Sequence, residues 1–120
     1  MVASDLPMNV KTRATNFTVG AGDWGGMHKI TGAVTATFPA PSTVPPGTWI
    51  EFFLAVDEDF VIAGGDELLV ADANATADTV TWGQTGEQIG NSARVISDGS
   101  SWLVQLHLAD EANSQTVGDS

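Results

Sequence analysis

A chain of 120 residues and 12.5 kDa has the size of one domain able to bury its own core, and the lack of cysteine excludes a disulfide framework or a thiolate metal site. Fifteen acidic residues against four basic ones give a net charge of −11, which repels phosphate backbones and anionic head groups and so argues against nucleic acid and membrane partners. Hydrophobic residues make up 42% and recur throughout, enough apolar surface to offset chain entropy, so the charge does not signal disorder.

Residues 1–15 are mixed in character and strandless by pattern, which predicts an N-terminal arm that orders only against a neighbour. They lack the basic start and apolar run of a signal peptide, and no segment reaches the roughly 20 apolar residues that cross a bilayer, so a soluble protein not exported by that route is expected. From residue 16 onward, short runs rich in Val, Ile, Phe, Thr and Trp alternate with Gly, Pro, Asp and Asn, the rhythm of an all-β domain. Residues 33–38 set Val34, Ala36 and Phe38 on one side and Thr35 and Thr37 on the other, as a half-buried strand does.

Residues 48–56 are apolar on both sides, Trp49, Phe53 and Ala55 against Ile50, Phe52, Leu54 and Val56, which predicts a central strand covered on both faces. Residues 60–62 and 67–70 read as a hairpin turning at Gly64-Gly65. Residues 78–82 alternate again with Val80 and Trp82 inward. A closing hairpin joins residues 93–97 and 101–108 through Asp98-Gly99-Ser100, with Trp102, Val104, Leu106 and Leu108 facing the core. Residues 109–120 are polar and acidic and read as a C-terminal tail with at most a short helix at 108–113. The fold expected is a compact antiparallel β-sandwich or barrel-like domain over residues 16–108, with flexible arms at both ends.

No reactive constellation emerges, and no enzyme or cofactor is expected. His28 and His107 stand in no ligand spacing. Asp57, Asp59 and Asp66 are the residues a calcium ion would take, with Glu58 and Glu67 beside them, but the D-x-D-x-D-G order of a calcium loop is missing, so the acids read as a solvated turn and no metal is expected. There is no G-x-S-x-G, and the glycines at 20, 22, 25 and 26 form neither a dinucleotide nor a phosphate loop. Trp49, Trp82 and Trp102 fall on inward-reading positions, whereas Trp24, in Gly-Asp-Trp-Gly-Gly, lies in a loop and is the exposed candidate for contact with a partner.

Several features in order carry a resemblance. They are Asn16-Phe17-Thr18-Val19, the strand ending Thr37-Phe38-Pro39, then Pro46-Gly47-Thr48-Trp49-Ile50-Glu51-Phe52, Asp59-Phe60-Val61-Ile62, and Asp98-Gly99-Ser100-Ser101-Trp102-Leu103-Val104. Over residues 16–108 the chain resembles a small β module of phage tail fibres and of phage head fibre or capsid decoration proteins. The stretch 71–78 is more acidic and polar than that pattern. The resemblance implies a non-enzymatic virion part, commonly trimeric, fastened to a capsid or tail surface. With its own initial Met and no fibre shaft, a stand-alone decoration (cement) protein on the outer surface of the capsid is the leading expectation, with the major capsid protein as partner. Leu6, Met8 and Val10, beside Lys11 and Arg13, are the expected capsid contacts, since this segment gathers two of the four basic residues. A tail-associated receptor-binding module and a carbohydrate-binding β-sandwich are the alternatives.

Overall fold

The computed structural model describes residues 9–70, 74–82, 89–107 and 115–118. Ten strands carry them: β1 (Asn9–Arg13), β2 (Phe17–Thr18), β3 (Gly26–Ile30), β4 (Val34–Thr37), β5 (Trp49–Leu54), β6 (Phe60–Val70), β7 (Asn74–Trp82), β8 (Ser92–Ser97), β9 (Trp102–His107) and β10 (Gln115–Gly118). A single 3-10 turn, Pro41–Thr43, is the one helical element among the described residues, and none of these residues forms a helix long and apolar enough to cross a membrane.

The result is a mostly-β domain of two sheets. Hydrogen bonding runs β1-β3-β5-β8-β9-β6-β4-β2, with β7 on β6 and β10 on β7. β6 belongs to both sheets: residues 60–63 pair with β4 and β7, while Leu68 and Leu69 pair with β9. The switch falls at Gly64-Gly65, where the register shifts and Gly65 takes φ +57°. A Cβ on Gly64 would run into the buried Leu68 side chain. The hairpin expected at these glycines is therefore one bent strand, because a single positive-φ glycine kinks a strand without reversing it. The reversal comes later, between β6 and β7, which pair antiparallel.

The purely antiparallel sheet is also corrected. β1 with β3, β3 with β5, β2 with β4, β4 with β6 and β6 with β9 all pair in parallel. From β1 to β5 the chain crosses to the opposite sheet at every connection, so strands that become neighbours in one sheet are two apart in sequence and run the same way. The two arms also contribute strands: residues 9–13 form β1 on β3, and residues 115–118 form β10 on β7. Residues 1–8 and 108–114, including the short helix considered at 108–113, lie outside the described residues.

The core lies where the two sheets face each other. Phe52 of β5 lies 5.1 Å from Phe60 of β6 and 6.0 Å from Phe38, and Phe60 stacks on Trp82 at 5.4 Å. The alternation read in the sequence holds for Val34, Ala36, Phe38, Val80, Trp82, Trp102 and Val104, all buried, with Leu106 partly buried against them and Leu108 outside the described residues. It fails for β5. Ile50, Phe52 and Leu54 are fully buried, but Phe53 on the other face is 37% exposed and Trp49 only half-buried, so this strand is covered on one face alone.

Candidate docking surface

β1 is an edge strand, hydrogen-bonded among the described residues to β3 only. Its two-residue period separates the expected capsid contacts. Val10 pairs with Met27 and is 57% exposed on the outer face, whereas Lys11 pairs with His28 and Arg13 with Ile30, both buried positions on the inner face. Leu6 and Met8 lie outside the described residues. Lys11 and Arg13 thus do not form one patch with Val10, and their charges are engaged elsewhere.

They converge on Asp23, in the loop between β2 and β3. Lys11 Nζ and Arg13 Nη2 donate to its Oδ1 at 2.9 and 2.7 Å, and the Gly20 N–H donates to Oδ2 at 3.0 Å. The Asp23 side chain is 8% exposed. Burial alone would raise its pKa, but the Lys11 and Gly20 hydrogen bonds and the two nearby positive charges outweigh that and hold the carboxyl below its ordinary value. A buried carboxylate is stable here because its lone pairs are taken and its charge is matched.

His28 completes the cluster. Its Nδ1 accepts from Arg13 Nε at 3.2 Å and its Nε2 lies 3.3 Å from the Asp23 carbonyl oxygen. An arginine can only donate and a carbonyl can only accept, so Nε2 carries the proton and the ring is neutral. Desolvation lowers the His28 pKa, with Arg13 and Lys11 pushing the same way against the attraction of Asp23. Phe17 stacks on the ring at 5.5 Å, and the Arg13 guanidinium lies 4.1 Å from the Phe17 centroid. The cluster ties β1 to β3 and to the loop beneath it, giving the edge strand a fixed position. Sequence reasoning missed it; the local signal was an acidic residue inside a Gly-rich turn.

On the outer face of the same sheet, Glu51 and Arg94 form an ion pair at 2.6 Å across β5 and β8, and the Arg94 guanidinium lies 4.8 Å from the Trp49 ring centroid. Beside Trp49 runs an open groove of about 430 Å³ lined by Trp24, Gly25, Pro46, Gly47, Thr48 and Trp49. Trp24 is not the freely exposed loop residue expected. It is half-buried, stacks on Trp102 at 5.4 Å and tilts against Phe38, because the Gly-rich loop folds it back over the open end of the core.

The chain matches no family model, no curated protein and no solved structure.

Only some of the acids considered for calcium lie among the residues whose side chains are described. Asp57 and Asp59 are exposed in the β5–β6 loop, where Asp57 Oδ1 accepts from the Ile89 N–H at 3.2 Å, and the Asp66 side chain lies outside those described. No group of three potential ligands gathers among the described residues.

Proposed function

We propose that this chain is a non-enzymatic structural virion protein, a β-sandwich that decorates the outside of a phage capsid as a cement or head fibre protein, bound to the major capsid protein and self-associated as a homo-oligomer. The observation that carries the reading is the open edge of β1, with Val10 exposed and the strand held in place from its other face by Asp23 and His28. An edge strand offers unpaired backbone N–H and C=O groups to a partner strand, and a rigid edge loses less entropy on docking than a loose arm. The net charge of −11 disfavours nucleic acid and anionic membrane as the surface engaged.

Co-sedimentation with purified empty capsids tests this. Val10→Asp, on the outer face and away from the Asp23 cluster, is expected to weaken particle binding by about tenfold or more with an unchanged denaturation midpoint. Wild-type protein that stays in the supernatant, or a variant that binds as tightly, would sink the reading. Copy number separates head from tail, since decoration requires many copies per particle and a tail module only a few.

The groove favours a second reading, a carbohydrate-binding β-sandwich. Trp24 and Trp49 line it, and indole faces stack on the C–H faces of sugar rings while Thr48 and the backbone supply hydrogen bonds. Under this reading Trp fluorescence is quenched by particular members of a glycan panel, and Trp49→Ala abolishes the response. Silence across the panel removes it.

A further inference from the structure

No described side chain of β1 is buried, and none joins the hydrophobic core. The strand is therefore held by its parallel ladder on β3, which ends where the Thr31 N–H donates to the Arg13 carbonyl at 3.0 Å, and by what its inner side chains reach. Those side chains are Lys11 and Arg13. Both donate to Asp23, Arg13 Nε donates to His28 Nδ1, and the Arg13 guanidinium lies over Phe17. β3 is anchored differently, with His28 and Ile30 buried and Ile30 in the core. An edge strand without core residues is the element that opens locally at least cost, while its neighbour stays in place.

His28 stands between the two strands. Among the described residues, the charged groups that face its ring are Lys11 and Arg13 from β1 and Asp23 from the loop before β3. Phe17 of β2 and Phe52 of β5 pack against it at 5.5 and 5.8 Å, and Lys29, its neighbour on β3, is exposed on the other side of the sheet. A neutral ring accepts the Arg13 bond at Nδ1, whereas a protonated ring has only donors to offer. Arg13 Nε and His28 Nδ1, 3.2 Å apart, then become two facing donors on two cations. Departure of β1 relieves this: both cations leave with it, water reaches the ring, and Nε2 keeps the Asp23 carbonyl. We propose that β1 is an acid-released strand, which protonation of His28 detaches from β3 while the rest of the two sheets stays folded. What opens is the edge Gly26–Ile30, whose backbone groups then face a new partner strand in place of β1. Burial and the two cations depress the His28 pKa, so the attached state is fully favoured above 6.5 and weakens as pH falls below it.

The release does not rest on capsid binding and is read on the free, full chain. Amide hydrogen exchange is followed at about pH 7.5 and about pH 5, with rates corrected for the intrinsic effect of pH. Protection over Asn9–Arg13 and at Thr31 is expected to fall several-fold in acid. The ceiling is about thirtyfold, because each pH unit below 6.5 changes the opening equilibrium by about tenfold at most. Protection over Trp49–Leu54 and Ser92–Ser97, the core strands β5 and β8, is expected to stay. His28→Gln offers an amide that accepts from Arg13 and donates to the Asp23 carbonyl without titrating, so β1 should be equally protected at both pH values. His28→Phe is the second variant and keeps the test decisive if His28→Gln fails to fold, while His107→Gln is expected to retain the wild-type response. A wild-type β1 equally protected at both pH values overturns the inference, whether or not the chain binds capsids. So does a loss of protection shared by β5 and β8, or an acid response that survives in a folded His28 variant.

Discussion

Trp102→Ala is expected to lower the unfolding free energy by about 3–5 kcal/mol, the usual cost of emptying a large aromatic site in a core. Domains of this size have a total of about 5–15 kcal/mol to lose, so the variant should be close to unfolding at physiological temperature. The ring is fully buried, stacks on Trp24, meets Phe38 edge-on at 5.0 Å, and donates from Nε1 to the Pro39 carbonyl at 2.8 Å. Trp102 thus joins the hairpin to the loop after β4 and to the loop that carries Trp24. Trp82 is the control. It is equally buried, yet its Nε1 finds no hydrogen-bond partner among the described residues, so Trp82→Phe is expected to cost less than Trp102→Phe, which forfeits a made bond worth about 1 kcal/mol. Denaturant midpoints by far-UV circular dichroism check the series. A Trp102→Ala midpoint no lower than that of Trp82→Phe would contradict the assignment.

The second large effect belongs to the Asp23 cluster. Asp23→Ala leaves Lys11 Nζ and Arg13 Nη2 close together without the carboxylate they share, while the backbone carbonyl that faces His28 Nε2 remains. Removing one member of a buried pair costs about 3–5 kcal/mol. Lys11 and Arg13 keep 37% and 27% side-chain exposure, and solvent screening brings the expected loss to about 2–3 kcal/mol. The same cluster makes stability fall with acid. The His28 pKa is depressed in the fold, so the stability of the neutral ring is complete above its unfolded value of 6.5 and is lost as pH falls through the lower folded value. A second loss follows below 3.8 as Asp23, also depressed, takes up its proton. Burial of the ring is the main cause of the first loss, and geometry adds to it: a proton on His28 Nδ1 ends its hydrogen bond from Arg13 Nε and sets two cations side by side. Each group contributes at most about 1.4 kcal/mol per pH unit. Urea midpoints at about pH 7.5 and about pH 5 should therefore differ in the wild type and converge in His28→Phe, which retains His107. A wild-type midpoint that does not move, or a drop that persists without His28, removes the cluster as the acid-sensitive element.

Much of the fold is legible in the residues alone. Alternation at Val34-Thr35-Ala36-Thr37-Phe38 and at Val80-Thr81-Trp82 sorts inside from outside, because a strand's period of two is local. The last hairpin is legible for the same reason: Gly99 at φ +94° and the Asp98 carboxylate, which accepts from Ser100 and Ser101 N–H, build its turn from adjacent residues. Gly64-Gly65 marks a break, but glycine spacing does not distinguish a reversal from a bend. That depends on whether residues after the break find β9 or return along residues 60–63.

Which strand lies beside which is settled by long-range pairing. Local pattern assigns a residue to a face and is silent on which sheet the strand joins, so the parallel neighbours β1, β3 and β5 and the one open face of β5 are invisible until the chain has crossed between sheets. The same holds for the candidate surfaces. Lys11 and Arg13 read as free basic residues near the start of the chain, yet they end on Asp23, ten and twelve residues away. Trp49, Ile96, Leu103 and Leu69 come from four strands and form an apolar row only through strand pairing. The sequence determined composition, charge, strand rhythm and the inner face of most strands, because these rest on interactions between near neighbours. The edge, the buried ion cluster and the apolar row rest on long-range pairing, which only the folded chain fixes.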